Sequence, residues 1–449
     1  MSLRLTSRPT SPFGPSGRTV SAVTAVVSVA VGGVVLAAGV ATAQPCSGGS
    51  GVPGGGLDTF AGITHSGESQ QGVLPQMPST SPTQTVEWLT GPMSPNDTFS
   101  RFGITGTDLG IMWDNGVPGT NRQILTAFGD TVGDCREPDG EWRSNALLRS
   151  DDTDLSDGMT FLDPDHGEPS AGAPVLEERQ NFARQIIDGL GLAGTEITII
   201  PTAAIAVGGT QYINFMSVRD WGDHGHWRTN FSAIAVSEDN GETWRTELGT
   251  IRLNGGISLD GIDGFPQVSA GNENFQMHSY VAHAEYVYGF GTPPGRFGSA
   301  HLSRVPAERL LDLGAYEYWD GEGWAVEPGA AAAVIPAPVS ELSVHWNDYL
   351  GKFVALYADE PAGTIVLRTA DRPEGPWTEG TVLITSDDIT GLYAPYVHPW
   401  SSGNTLYFAI SRWSDYNVLM METDLDEIFP EAVAEYGGDD AVLSTVSLD

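Results

Sequence analysis

Short runs of alternating apolar and polar residues, each bounded by glycine, asparagine or aspartate, recur along most of this chain, and no long stretch beyond the first ~40 residues carries a clear helical period. The runs come in threes. Asp108–Trp113, Gln123–Phe128 and Asn145–Arg149 form one strand, turn, strand, loop, strand set, and Thr198–Val207, Gln211–Val218 and Phe231–Val236 form a second. Further sets are Phe275–His283 with Tyr286–Phe290 and Ser299–Arg304, then Glu341–Trp346 with Phe353–Tyr357 and Thr364–Arg368. The last is Tyr393–Pro399 with Leu406–Ser411 and Asn417–Met421. Five matching triplets predict an all-β chain folded as a five-bladed β-propeller, and their repetition argues against the β-sandwich that short strands also allow. Their spacing, roughly 50 to 90 residues, exceeds the ~40 to 50 of compact repeats, so long rim insertions are expected. Helices are predicted only at about Ala173–Leu190 and, briefly, after Pro306.

A second mark agrees with the repeats. Ser237-Glu-Asp239-Asn-Gly241-Glu-Thr243-Trp244 looks like the Asp-box turn of many propeller blades, and Ser150, Asp152, Gly158 and Phe161 make a looser version. The aspartate of such a turn accepts backbone hydrogen bonds, a structural role.

The ends of the chain read differently. Arg4, Arg8 and Arg18 precede an apolar run from Val20 to about Val40 and then Ala41-Thr42-Ala43, the order of a cleaved secretory signal over residues 1–43, with a retained anchor as the other reading. Residues 44–90 are rich in Gly, Ser and Pro and read as a linker or wrap, 91–430 as the propeller and 431–449 as an acidic tail. Asp and Glu number 57 against 21 Lys and Arg, a net charge of −36, which disfavours nucleic acid and anionic lipid as partners. A secreted or envelope-associated protein with no stable membrane insertion after cleavage is expected. Cys46 and Cys135 are the two cysteines, without CxxC spacing, and a disulfide between them is the simple expectation.

Propeller topology names where chemistry can sit. The first strand of each blade lines the channel and the second returns antiparallel, so the start of one meets the end of the other at a single rim. That rule pairs Asp108 with Asp130, Thr202 with Arg219, Met277 with Thr292, Glu341 with Asp359, and Tyr393 with Arg412 or Trp413. Two carboxyl groups facing one opening suit glycoside hydrolysis, where one donates a proton and the other attacks or activates water. Chance convergence among so many acids is the alternative. Glu341 opens an apolar channel strand and must be paired or functional; Arg219 could hold a carboxylate or grip sugar hydroxyls, and equally serve a surface ion pair. Trp113, Trp221, Tyr393 and Trp413 are candidates for stacking on sugars or for the core. His224 and His226 read as loop residues rather than metal ligands; no cofactor is expected, with structural calcium left open.

Several ordered motifs carry a resemblance. Thr107-Asp108-Leu109-Gly110, Ala127-Phe128-Gly129-Asp130-Thr131, Trp142-Arg143-Ser144-Asn145, Tyr288-Gly-Phe-Gly-Thr-Pro293, Pro338-Val-Ser-Glu341-Leu-Ser-Val344 and Gly375-Pro376-Trp377 together resemble the endo-D-arabinanase family of glycoside hydrolases, from about residue 100 to 425. The resemblance implies a propeller enzyme that cleaves internal α-D-arabinofuranosyl bonds of bacterial envelope polysaccharide with retention. It implies catalytic roles for Asp108 and Asp130, as nucleophile and acid/base or in the reverse order. Asn145, Arg219, Trp221, Glu341, Tyr393 and Trp413 are the expected substrate contacts. A non-catalytic glycan-binding propeller is the rival reading, and a sialidase lacks its arginine triad here.

Overall fold

The computed structural model describes Cys46 and residues 66–191, 194–254 and 269–430; the signal-like segment, the first part of the linker apart from Cys46, and the acidic tail lie outside the described residues. Blade one is Gly106–Asp114, Ile124–Val132 and Ala146–Ser150, and blade two is Thr198–Val207, Thr210–Trp221, Trp227–Ser237 and Arg245–Leu253. Blade three opens with Met277–His283, Tyr286–Thr292 and Gly298–Pro306 and is widened by Glu317–Trp319, Trp324–Ala325 and Ala333–Val339. Blade four is Ser343–Asn347, Lys352–Asp359, Thr364–Ala370 and Thr381–Thr385; blade five is Leu392–Val397, Thr405–Arg412 and Asn417–Asp424. The innermost strands touch in cyclic order, blade five against blade one, so the five sheets close into a propeller.

Closure uses a strand that local pattern does not announce. Thr83–Trp88 is the outer strand of blade five, antiparallel to Asn417–Asp424, with Thr83 opposite Thr423 and Trp88 opposite Leu419. It lies within the stretch read as linker, where six residues after Pro82 show little alternation. The ladder binds the start of the fold to its end, so the ring cannot open at that seam without losing these hydrogen bonds.

Aromatic rings fill the space between blades: Phe128 meets Phe161 edge-on at 6.3 Å, and Phe161 meets Phe102 at 6.5 Å. Burying each such ring contributes about 1.5–3 kcal/mol. The Asp-box is the turn between the third and fourth strands of blade two, where Asp239 accepts from the Thr243 amide at 2.8 Å and Trp244 packs on Trp113. In the looser version Asp152 accepts from the Thr160 amide at 3.0 Å.

The helix expected at Ala173–Leu190 is instead a small hairpin, Val175–Leu176 with Arg179–Ala183, followed by extended chain. Its apolar residues are held by one side chain. Asn145 accepts from the amides of Ile186 and Ile187 and donates to the carbonyls of Ile187 and Ile199. The chain satisfies its backbone through Asn145 rather than through helical bonds, which leaves Ile186 and Ile187 buried. After Pro306 only single 3-10 turns form, at Ala307–Arg309 and Leu313–Ala315.

Candidate active site

The hairpins of blades one and three show how the rim is built. In blade three the register is unbroken, from Met277 opposite Thr292 to His283 opposite Tyr286. In blade one Thr107 faces Thr131 but Leu109 faces Phe128, so that Gly129 and Asp130 together oppose the single residue Asp108, and Ile111 then faces Ala127, which leaves Gly110 as the extra residue of the first strand. Leu109 and Gly110 adopt positive φ of 72° and 96° to make this bulge. A left-handed leucine costs on the order of 1–3 kcal/mol, strain of the kind found at functional sites. The Leu109 amide donates to Ser411 Oγ of blade five at 2.8 Å, as the Val344 amide does to Ser279 Oγ of blade three. A Cβ on Gly129 would stand 2.5 Å from Asp108 Oδ1, so only glycine leaves room for this carboxyl.

Asp108 and Asp130 both face a cavity of about 750 Å³ at this mouth, with Trp221, Glu341, Tyr393 and Trp413 in its wall. Tyr393 donates its hydroxyl to Asp108 Oδ2 at 2.9 Å. Burial, and then the charge of Asp130, push the Asp108 carboxyl up to about 8 against the pull of Tyr393 and Arg296. Asp130 Oδ1 accepts from Thr198 Oγ1 at 2.6 Å and from Trp142 Nε1 at 3.2 Å. Burial raises this carboxyl too, but its two donors favour the charged form and hold it at about 6. Between these values the pair keeps one proton.

Glu341 is neutralised by Arg296, whose Nε and Nη2 reach Glu341 Oε1 at 3.1 and 3.0 Å. Burial opposes the Arg296 charge, yet Glu341 and Glu360 outweigh it and raise its pKa. The guanidinium also lies 4.7 Å from the Tyr393 ring, so one cation braces both Glu341 and the tyrosine that holds Asp108. Tyr416 completes the wall; burial and then the two aspartates keep its hydroxyl protonated far above its usual range. Trp142 and Ile197 leave 44% and 49% of their surface exposed at the cavity edge, apolar ground for a ligand with apolar faces.

Two expected contacts fall elsewhere. Asn145 is fully buried in the clamp described above, with its amide groups spent on backbone. Arg219 does not border the cavity; its expected partner Thr202 lies mid-strand beside Asn214, four residues past the strand's start at Thr198, which opposes Val218 at the rim. Thr198 therefore supplies the rim hydroxyl. Glu341 precedes its strand and finds Arg296 rather than Asp359. Trp113 is core, its Nε1 donating to Gln211 at 2.8 Å. Leu392 opposes Arg412 and Tyr393 opposes Ser411, a one-residue offset from the expected pairing. Cys46 and Cys135 form a disulfide that borders the cavity. His224 contacts Glu360, and no group of three metal-ligating side chains occurs among the described residues. Arg296, Thr198, Trp142 and Tyr416 had no sequence signal as site residues beyond Trp142's place in a motif.

Residues 93–422 match a family described as a domain of unknown function, DUF4185. The chain belongs to this family. It is 30% identical over 349 residues to Notoamide biosynthesis cluster protein J of Aspergillus sp. (strain MF297-2), covering 75% of this chain and 86% of that protein. The likeness to protein J' of Aspergillus versicolor is 30% over 325 residues, 70% and 82% of the two chains. Among solved structures, Zg3597, a family 117 glycoside hydrolase from Zobellia galactanivorans, aligns with a TM-score of 0.42 and 11% identity over 77% of this chain and 91% of its own. The alpha-L-arabinofuranosidase PaAbf62A from Podospora anserina aligns at 0.38 and 12%, over 76% and 96%.

Proposed function

We propose that this family member is an exported glycoside hydrolase that cleaves within D-arabinan chains. The observation that carries the reading is the pair Asp108 and Asp130 on one cavity wall, with carboxyls pushed to about 8 and about 6. One acid and one base at neutral pH are what glycosidic cleavage requires. The substrate class rests on the ordered motifs of the sequence.

Position assigns the roles. Asp130 sits beside the exposed Trp142 at the cavity edge, where a leaving oxygen and an incoming water can reach it, and its value near 6 suits acid and base work in turn. Asp108 is held by the buried Tyr393 and attacks the anomeric carbon. The proton rests on Asp108 first because of burial and second because of the charge of Asp130. A substrate that brings the proton to Asp130 removes the second cause, and Tyr393 and Arg296 then support the Asp108 carboxylate against its burial. Asp130 then protonates the departing glycosidic oxygen as the Asp108 ester forms. Water, deprotonated by Asp130, hydrolyses that ester and restores both groups.

The test is oligosaccharide release from arabinogalactan by the purified protein, with the anomer of the first product read by NMR. A retained anomer and azide rescue of Asp108→Gly as the inverted azide fit these roles; rescue only of Asp130→Gly to that product reverses them. Saturable binding without product, unaltered by Asp→Asn changes, would instead identify a glycan-binding propeller.

A further inference from the structure

A second cavity of about 210 Å³ lies between blades four and five and shares Arg296, Tyr393 and Trp413 with the first. Its volume is below the ~300–1,000 Å³ of pockets that take a whole ligand, which fits one part of a longer molecule whose remainder occupies the larger space. The wall between the two is built from charge that is already paired. Arg296 binds Glu341, which borders the first cavity, and lies 3.6 Å from Glu360, which borders the second; His224 contacts Glu360 from outside. With these charges paired to one another, the wall presents no free cation to an anionic ligand. The remaining lining sets the carboxylate of Asp359 and the hydroxyls of Thr364, Ser386 and Thr390 beside the half-buried indole of Trp413, over a floor of aliphatic side chains that includes Ile384 and Ile389. Hydroxyl acceptors and donors beside one aromatic face suit an uncharged sugar ring.

We infer that this notch is a distal sugar-binding subsite of the same active site, so that a polysaccharide passes from the larger cavity over Tyr393 and Trp413 into it. The inference rests on the glycosidase reading and adds to it where the chain lies. Tyr393, which holds Asp108, belongs to both cavities, so the sugar in the notch is a near neighbour of the bond that breaks. Occupation on both sides of that bond is what cleavage within a chain needs.

Ser386 and Thr390 are exposed, so a bulky residue there can fill the notch without entering the core. For Thr390→Trp, and separately Ser386→Trp, kcat/KM is measured on arabinan polymer and on an aryl α-D-arabinofuranoside, with the melting temperature confirming the fold. The expected result is at least a tenfold fall in the ratio of polymer to aryl glycoside and a shift in product length. An unchanged ratio in both folded variants overturns the subsite while leaving the hydrolase reading intact. If wild-type protein releases no product, that reading fails instead, and calorimetry with arabino-oligosaccharides of increasing length decides the notch. A gain in affinity with length that Thr390→Trp abolishes supports it, and no such gain in wild-type protein overturns it.

Discussion

The hairpin of blade three runs in register from Met277 to Thr292 and ends at the rim in a methionine and a threonine, whereas the hairpin of blade one shifts register twice and ends in two aspartates. Both obey the same antiparallel geometry. The difference lies in the register: the blade-three ladder pairs residue for residue, while the two shifts in blade one set Gly129 and Asp130 against Asp108, leave Gly110 unpaired, and bring both carboxyls to the cavity. Glycine shows the same division. Gly129 makes room for a reacting group, whereas Gly291 in blade three makes room for the core ring of Phe275.

The largest expected effect removes the carboxyls. Asp108→Asn and Asp130→Asn should each lower turnover by about 10³-fold or more, while Met277→Leu at the matching rim position of blade three should change it by less than about threefold. Equal losses at both blades would dissolve the distinction. Next, Gly129→Ala should cut kcat by roughly tenfold to a hundredfold by displacing Asp108. Gly291→Ala should instead cost about 1–3 kcal/mol of stability in chemical denaturation, because the added methyl meets a packed ring.

Smaller effects test the electrostatics. Tyr393→Phe removes a hydrogen bond that lowers the Asp108 pKa, so the group should titrate higher and a pH–rate profile should move to alkaline values, with turnover reduced about tenfold. An unmoved profile would separate Tyr393 from the chemistry. Stability supplies the last expectation. The Asp108 carboxyl titrates at about 8 in the fold against an ordinary 3.8, so the folded state binds a proton that the unfolded chain has released. Its contribution is greatest below pH 4 and is withdrawn as pH rises to 8. Asp108→Asn should therefore raise the melting temperature relative to wild type by a few degrees more at pH 8 than at pH 5. A constant difference across that range would mean that the carboxyl is not desolvated.

Local pattern made part of this molecule legible and part of it not. The triplets of alternating residues specified five blades, and counting along one hairpin brought Asp108 and Asp130 to one rim, because strand partners within a blade are near in sequence. The same counting misplaced Thr202, because a ten-residue apolar strand does not reveal which of its residues stands at the rim, and that residue is Thr198. Asn145 stood in a motif and so resembled a site residue, yet its side chain serves backbone amides and carbonyls. The supposed helix at Ala173–Leu190 failed for the same reason, since the partner that holds Ile186 and Ile187 lies 41 and 42 residues away.

What the sequence determined by itself is the repeated strand, the acidic rim of blade one and a cysteine pair with no other cysteine to join. The tertiary structure alone decided what surrounds those carboxyls. Tyr393 reaches Asp108 across 285 residues, Thr198 reaches Asp130 across 68, and Arg296 reaches Glu341 across 45. Each contact exists because Thr83–Trp88 and the inner strands close a ring. Closure sets side chains from separate blades around one cavity, and burial there moves two ordinary aspartates into the range where they can trade a proton.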